Sequence, residues 1–148
     1  MDQMDKSILL LLEQNARMTV SEISNRINLS VSAVSERLKK LENTGIIEQY
    51  TTIINSKYLN KNLTAFMSVA LDGPHYVEKL KEFVETDEEV LEGYYVAGEF
   101  DYMLKIITEN TESLKDILDR IKGIQGVGKT KTIVALATIK KKHSIVPK

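Results

Sequence analysis

Apolar residues recur at helical spacing through the first third of the chain. Ile8, Leu9, Leu11 and Leu12 mark one face of a first helix, with Asp5 placed to cap it. Asn15 to Met18 breaks the pattern. Val20, Ile23 and Ile27 then form the stripe of a second helix. Thr19 and Glu22 stand at its start with the spacing of a capping box, in which each side chain satisfies an orphan amide near the other. Val34, Leu38 and Leu41 give a third stripe at i, i+4 and i+7, capped by Ser30. The turn between the second and third helices needs a residue at positive φ. Asn28 stands there, the residue most tolerant of that region after Gly, and Leu29 plugs the core beside it.

Thr44 and Gly45 end the third helix. Ile46 and Ile47, then Tyr50 to Ile54, read as a short strand. It can serve as a wing against phosphates, but it carries few basic residues, which favours a structural connector. Residues 55–62 are polar and rich in turn formers, a linker.

Beyond the linker the pattern follows strand, helix, strand, strand, helix, strand. Thr64 to Leu71 is apolar on both faces, so both faces call for cover. Pro74 opens a helix with Tyr76, Val77, Leu80, Phe83 and Val84 inward. Strands are expected over Val90 to Ala97, Asp101 to Thr108 and Lys129 to Ile139. A helix bearing Leu114, Ile117, Leu118 and Ile121 precedes the last of them. This order is the ferredoxin-like βαββαβ arrangement, with both helices on one sheet face. The fold class is therefore α+β: an N-terminal winged helix-turn-helix of three helices plus a short strand over 1–54, a linker over 55–62, a ferredoxin-like domain over 63–140, and a basic, frayed tail over 141–148. The uncovered sheet face is apolar, which predicts that two copies pair there with two-fold symmetry.

Composition changes little. The 148 residues carry a net charge of -1, and no Cys is present, which excludes disulfides and thiolate metal sites and fits a cytoplasmic protein. No apolar run is long enough to span a bilayer, and no secretory signal is visible. Local placement of charge is more informative. The outward positions of the third helix are Ser32, Ala33, Ser35, Glu36, Arg37, Lys39 and Lys40, and the capping Ser30 joins them as a candidate DNA contact. Small and hydroxyl side chains at a helix start admit a groove floor, and Arg37, Lys39 and Lys40 supply charge for base edges or phosphates. The set predicts a reader of double-stranded DNA. Any one of these charges alone is ordinarily just a solvated face.

The segments MDKSILLLLEQNARMTVSEIS, LSVSAVSERLKKLENTGIIEQYTTIIN and VAGEFDYMLKI resemble the Lrp/AsnC (feast/famine) regulators over nearly the whole chain. Asn28 departs from the usual Gly and Val31 from a frequent Pro. The resemblance implies a cytoplasmic transcriptional regulator without a cofactor, forming homodimers that assemble further, often to octamers. It also implies an amino-acid effector held near the loop between the second and third strands, here Gly98, Glu99, Phe100, Asp101 and Tyr102. Gly98 can offer an amide to a ligand carboxylate and Asp101 can meet an ammonium, although a plain hairpin turn uses the same residue types. Thr130, Thr132 and Thr138 of the last strand are assigned to the same interface.

Two other functions stand beside this one. An architectural, DNA-compacting protein without an effector would use the same reader without a preferred site. Some haem-pathway decarboxylases look similar in fold to this family. An enzyme of that kind needs an acid–base constellation, and only His75 and His143 are on offer, one beside a turn proline and one in the tail.

Overall fold

The computed structural model describes residues 1–147, so Lys148 of the predicted tail lies outside the described residues. The described chain divides into two compact units, 1–53 with 140–147 and 54–139.

In the first unit three helices run over Gln3–Gln14 (α1), Val20–Ile27 (α2) and Val31–Asn43 (α3). Ile8, Ile23, Val34 and Leu41 form its fully buried centre, with Val20, Ile27, Leu29, Leu38 and Ile47 packed around them. These are the stripes read from the sequence. Three local devices hold the helix ends. Thr19 and Glu22 form the reciprocal capping box, with the Thr19 amide 2.7 Å from Glu22 Oε2 and the Glu22 amide 3.2 Å from Thr19 Oγ1. Asn28 sits at φ 55, ψ 43, the left-handed conformation that turns α2 into α3. Ser30 Oγ accepts the Ala33 amide at 3.2 Å.

Two expectations fail in this unit. The cap of α1 is Asp2, not Asp5; Asp5 is the third helical residue and answers Asp2 in a capping box of its own. The expected strand over Tyr50 to Ile54 does not form, because a run of strand-favouring residues becomes a strand only where a partner takes up its hydrogen bonds. Tyr50 instead donates its hydroxyl to Glu42 Oε1 at 3.0 Å, tying this segment back to α3. Burial and then that carboxylate push its phenol up to about 12. In the tail, Lys142 lies 2.9 Å from Glu13 of α1.

The second unit is a four-stranded sheet of Leu63–Leu71 (β1), Val90–Tyr95 (β2), Tyr102–Thr108 (β3) and Val127–Ala135 (β4), in the order β2-β3-β1-β4. All pairings are antiparallel. Val77–Thr86 (α4), led in by a Pro74–Tyr76 turn, and Thr111–Lys122 (α5) supply the helical layer. Side chains of opposed residues share a face. Ala65, Met67 and Val69 therefore point the same way as Leu104 and Ile106, and meet Leu80, Leu114, Ile117 and Ile121. The opposite face carries Phe66, Tyr94, Met103 and Ile133, which are between 36% and 56% exposed. This face is not wholly apolar: Lys105 pairs with Glu92 across it at 2.5 Å. Among the glycines, Gly126 leaves the least room for a side chain. It adopts φ +91, and a Cβ there would stand 2.0 Å from Tyr76 Cγ.

β4 ends at Ala135, four residues short of the expected limit. Thr138 is therefore not on the strand but in the exposed segment that follows. β2 stops at Tyr95 rather than Ala97, and β3 begins at Tyr102 rather than Asp101. The connection between them is correspondingly longer than the sequence suggested.

Candidate nucleic-acid interface and effector loop

The outer face of α3 is built by its own periodicity. Val34 and Leu41 are buried, so Ser32, Ser35, Glu36, Lys39 and Lys40 fall on the far side. Ser32, Glu36, Lys39 and Lys40 are exposed; Ser35 and Ala33 are half-buried. Ser30 is committed to capping, with its hydroxyl 3.1 Å from that of Ser32. The helix start thus presents small hydroxyl side chains, and the following turns present two lysines. Such a surface can enter a groove and meet phosphates.

Arg37 is the exception. Its Nη1 donates to Asp2 Oδ2 at 2.6 Å and to Asp5 Oδ1 at 2.7 Å, so the guanidinium reaches across to the start of α1 instead of outward. Both carboxyls are held below their ordinary values. At Asp2 the Asp5 amide contributes most and Arg37 next. At Asp5 the Asp2 amide leads, opposed by burial and supported by Arg37. The sequence contained a signal for this placement that the outward assignment passed over. Arg37 stands three residues after Val34 and four before Leu41, positions that flank a buried stripe.

In the second unit the segment between β2 and β3 is held at several points. The Val96 amide donates to the Asp101 carbonyl at 2.8 Å, and the Asp101 amide donates to the Val69 carbonyl at 3.0 Å. Asp101 Oδ2 accepts the Leu71 amide at 2.8 Å, where the pairing of β1 with β4 shifts register. One oxygen of the expected ammonium partner is thereby already engaged. Glu99 pairs with Lys129, which holds its carboxyl below the usual range, and the same lysine lies 5.3 Å from the Phe100 ring centroid. Tyr102 packs against Tyr95 with ring centroids 5.3 Å apart. Gly98 at φ +146 has open space where a Cβ would lie, so its backbone is approachable.

Thr130 and Thr132 are opposite Val69 and Met67, hence on the helical side of the sheet, and both are half-buried. The structure does not bring them together with Thr138. His75 packs on Tyr76 with centroids 4.0 Å apart and ring planes tilted by 40°, and among the described residues no group of three or more His, Asp or Glu is placed to hold a metal ion. No helix among them is long and apolar enough to cross a membrane.

Residues 1–48 match the family model described as winged helix-turn-helix DNA-binding, and residues 64–145 the one described as Lrp/AsnC ligand binding domain. The chain is 34% identical to the HTH-type transcriptional regulator FL11 of Pyrococcus abyssi, covering 95% of this chain and 92% of that one. It is 31% identical to the leucine-responsive regulatory protein of Escherichia coli K12, covering all of this chain and 92% of the relative. In structure it is similar to a transcriptional regulator of Neisseria meningitidis solved with L-Met. The TM-score is 0.92 at 31% identity, over 98% of this chain and 96% of the other. The three-helix unit, the sheet domain and the matches over both halves agree: this chain belongs to the Lrp/AsnC family of DNA-binding transcriptional regulators.

Proposed function

We propose that the chain is a cytoplasmic regulator that reads duplex DNA with the outer face of α3, works as a two-fold dimer, and responds to an amino acid. The observation that carries the reading is the far side of α3, where Ser32 and Ser35 lead and Lys39 and Lys40 follow on a helix fixed at both ends. In this reading 1–54 is the DNA-binding domain, 55–62 the linker and 63–140 the dimerisation and sensing domain. The exposed apolar side chains Phe66, Met103 and Ile133 favour pairing of two sheets. Further assembly, up to an octamer, extends the dimer. An L-Met complex of one structural neighbour and the leucine response named for one relative favour an amino-acid effector. The approachable Gly98 backbone offers it a place, with Asp101 turned mainly to the fold.

Two measurements test this. Lys39→Ala with Lys40→Ala should lower the salt slope of DNA binding by about 2, roughly one per lost phosphate contact. An unchanged slope removes these lysines from the interface. A thermal-shift screen of the common amino acids should reveal one stabiliser. A ligand at ~100 times its Kd adds about 2.7 kcal/mol. No shift with any of them would remove the effector from the reading and leave the DNA function standing.

A further inference from the structure

The sequence assigned Arg37 to DNA, and the structure gives it other partners. Asp2 and Asp5 form a closed polar knot at the start of α1. The Asp2 amide donates to Asp5 Oδ2 at 3.0 Å and the Asp5 amide to Asp2 Oδ1 at 2.9 Å. The two remaining carboxylate oxygens both accept from Arg37 Nη1. All four oxygens are partnered. Asp5 is only 3% exposed, and a carboxylate so placed is tolerable only with charge and hydrogen bonds around it. Among the described residues no other ion pair joins α1 to α3. The clamp spans 32 and 35 residues of sequence and meets α3 midway along the helix, beside the buried Val34 and Leu41.

We propose that Arg37 is a positioning residue for DNA recognition, holding α1 against α3 through Asp2 and Asp5 and so fixing the angle at which α3 presents Ser32, Ser35 and Lys39. The proposal rests on the DNA-reading function above and assigns Arg37 a role apart from DNA contact. A hydrogen bond to a base edge fails when its geometry slips by a fraction of an ångström. Contacts to phosphates by flexible lysines tolerate such a slip. Loosening the clamp therefore erodes discrimination between DNA sequences before it erodes general attraction to DNA. Electrostatics alone predicts the reverse for one variant. Removing the Asp5 charge makes the unit more positive, which strengthens attraction to DNA if Arg37 is simply a cation near the backbone.

The test uses the full chain with two duplexes, one enriched from a random library by selection on the wild type and one scrambled. Arg37→Ala and Asp5→Asn should each weaken binding to the enriched duplex by about tenfold, the scale of one good base contact. Binding to the scrambled duplex, its salt slope and the helical circular dichroism should stay unchanged, and Arg37→Lys should restore most of the discrimination. The proposal is overturned if Arg37→Ala lowers the salt slope by about 1 while Asp5→Asn binds as well or better, because Arg37 is then a phosphate contact. It is also overturned if affinity for both duplexes falls in parallel with the folded fraction, which is a stability effect only. Should either variant fail to fold, Asp2→Asn, which leaves the Asp5 half of the clamp, is read by the same criteria. A wild type with no preference for the enriched duplex would sink the DNA-reading function itself, a result distinct from these.

Discussion

Asn28 offers a direct way to perturb the turn between α2 and α3. It holds φ 55, ψ 43 between α2 and α3, and its amide donates to the Ser24 carbonyl. Its side chain is exposed and makes no hydrogen bond among the described residues, so substitution changes the backbone preference and little else. A residue with a Cβ costs about 1–2 kcal/mol in the left-handed region; Asn pays less than Ala, and Gly pays nothing. Gly returns roughly 0.4–1 kcal/mol through the greater freedom of the unfolded chain. Asn28→Ala should therefore destabilise the first unit by about 1 kcal/mol, while Asn28→Gly should stay near the wild type. For a unit of this size the Ala–Gly gap corresponds to roughly 4–8 °C in the midpoint of its own transition. Calorimetry on the full chain separates that transition from the sheet unit's, and circular dichroism reports the helices. An Ala variant as stable as the Gly variant, or more so, would falsify the account of this turn.

Other outcomes follow from the same structure. Gly126→Ala must both strain φ +91 and displace Tyr76, so the sheet unit should lose upwards of ~2 kcal/mol in urea unfolding. Phe66→Asp puts a charge on the open sheet face and should cost at least ~2 kcal/mol of dimer association by sedimentation, whereas Lys81→Asp on α4 should leave the mass unchanged. The carboxyls of Asp2 and Asp5 are depressed in the folded state. Their contribution is therefore complete above the unfolded value of about 4 and is lost as pH falls through the folded values. The midpoint difference between wild type and Asp5→Asn should be flat from about pH 5 upward and shrink below about pH 4.

What the sequence showed in advance was local. Thr19 with Glu22, Asn28, and Ser30 with the Ala33 amide act within a few residues, and each was placed correctly. The strand order was legible because period-two and helical runs alternate clearly along residues 63–135. The failures are non-local. Tyr50 to Ile54 has strand composition, but composition does not supply a neighbour to bond with. Arg37 was taken as outward because its partners lie more than thirty residues away. Asp101 was offered to a ligand, yet its carboxylate spans 30 residues to the Leu71 amide, a demand created by the register shift in β1. Thr138 was placed on a strand that ends three residues earlier, since β1 pairs with β4 no further than Ala135.

In the two-fold dimer proposed above, two copies of α3 in fixed relation would supply avidity that one copy lacks. In that arrangement the dimer, not α3 itself, would set the spacing between them.

Hydroxyl-radical footprinting of the full chain on a duplex enriched from a random library tests that claim most directly. A two-fold dimer should give two protected half-sites related by a two-fold axis, with centres one helical turn or a whole number of turns apart, and protection that weakens steeply with salt. A single unpaired half-site, or protection with no preferred position, would contradict it.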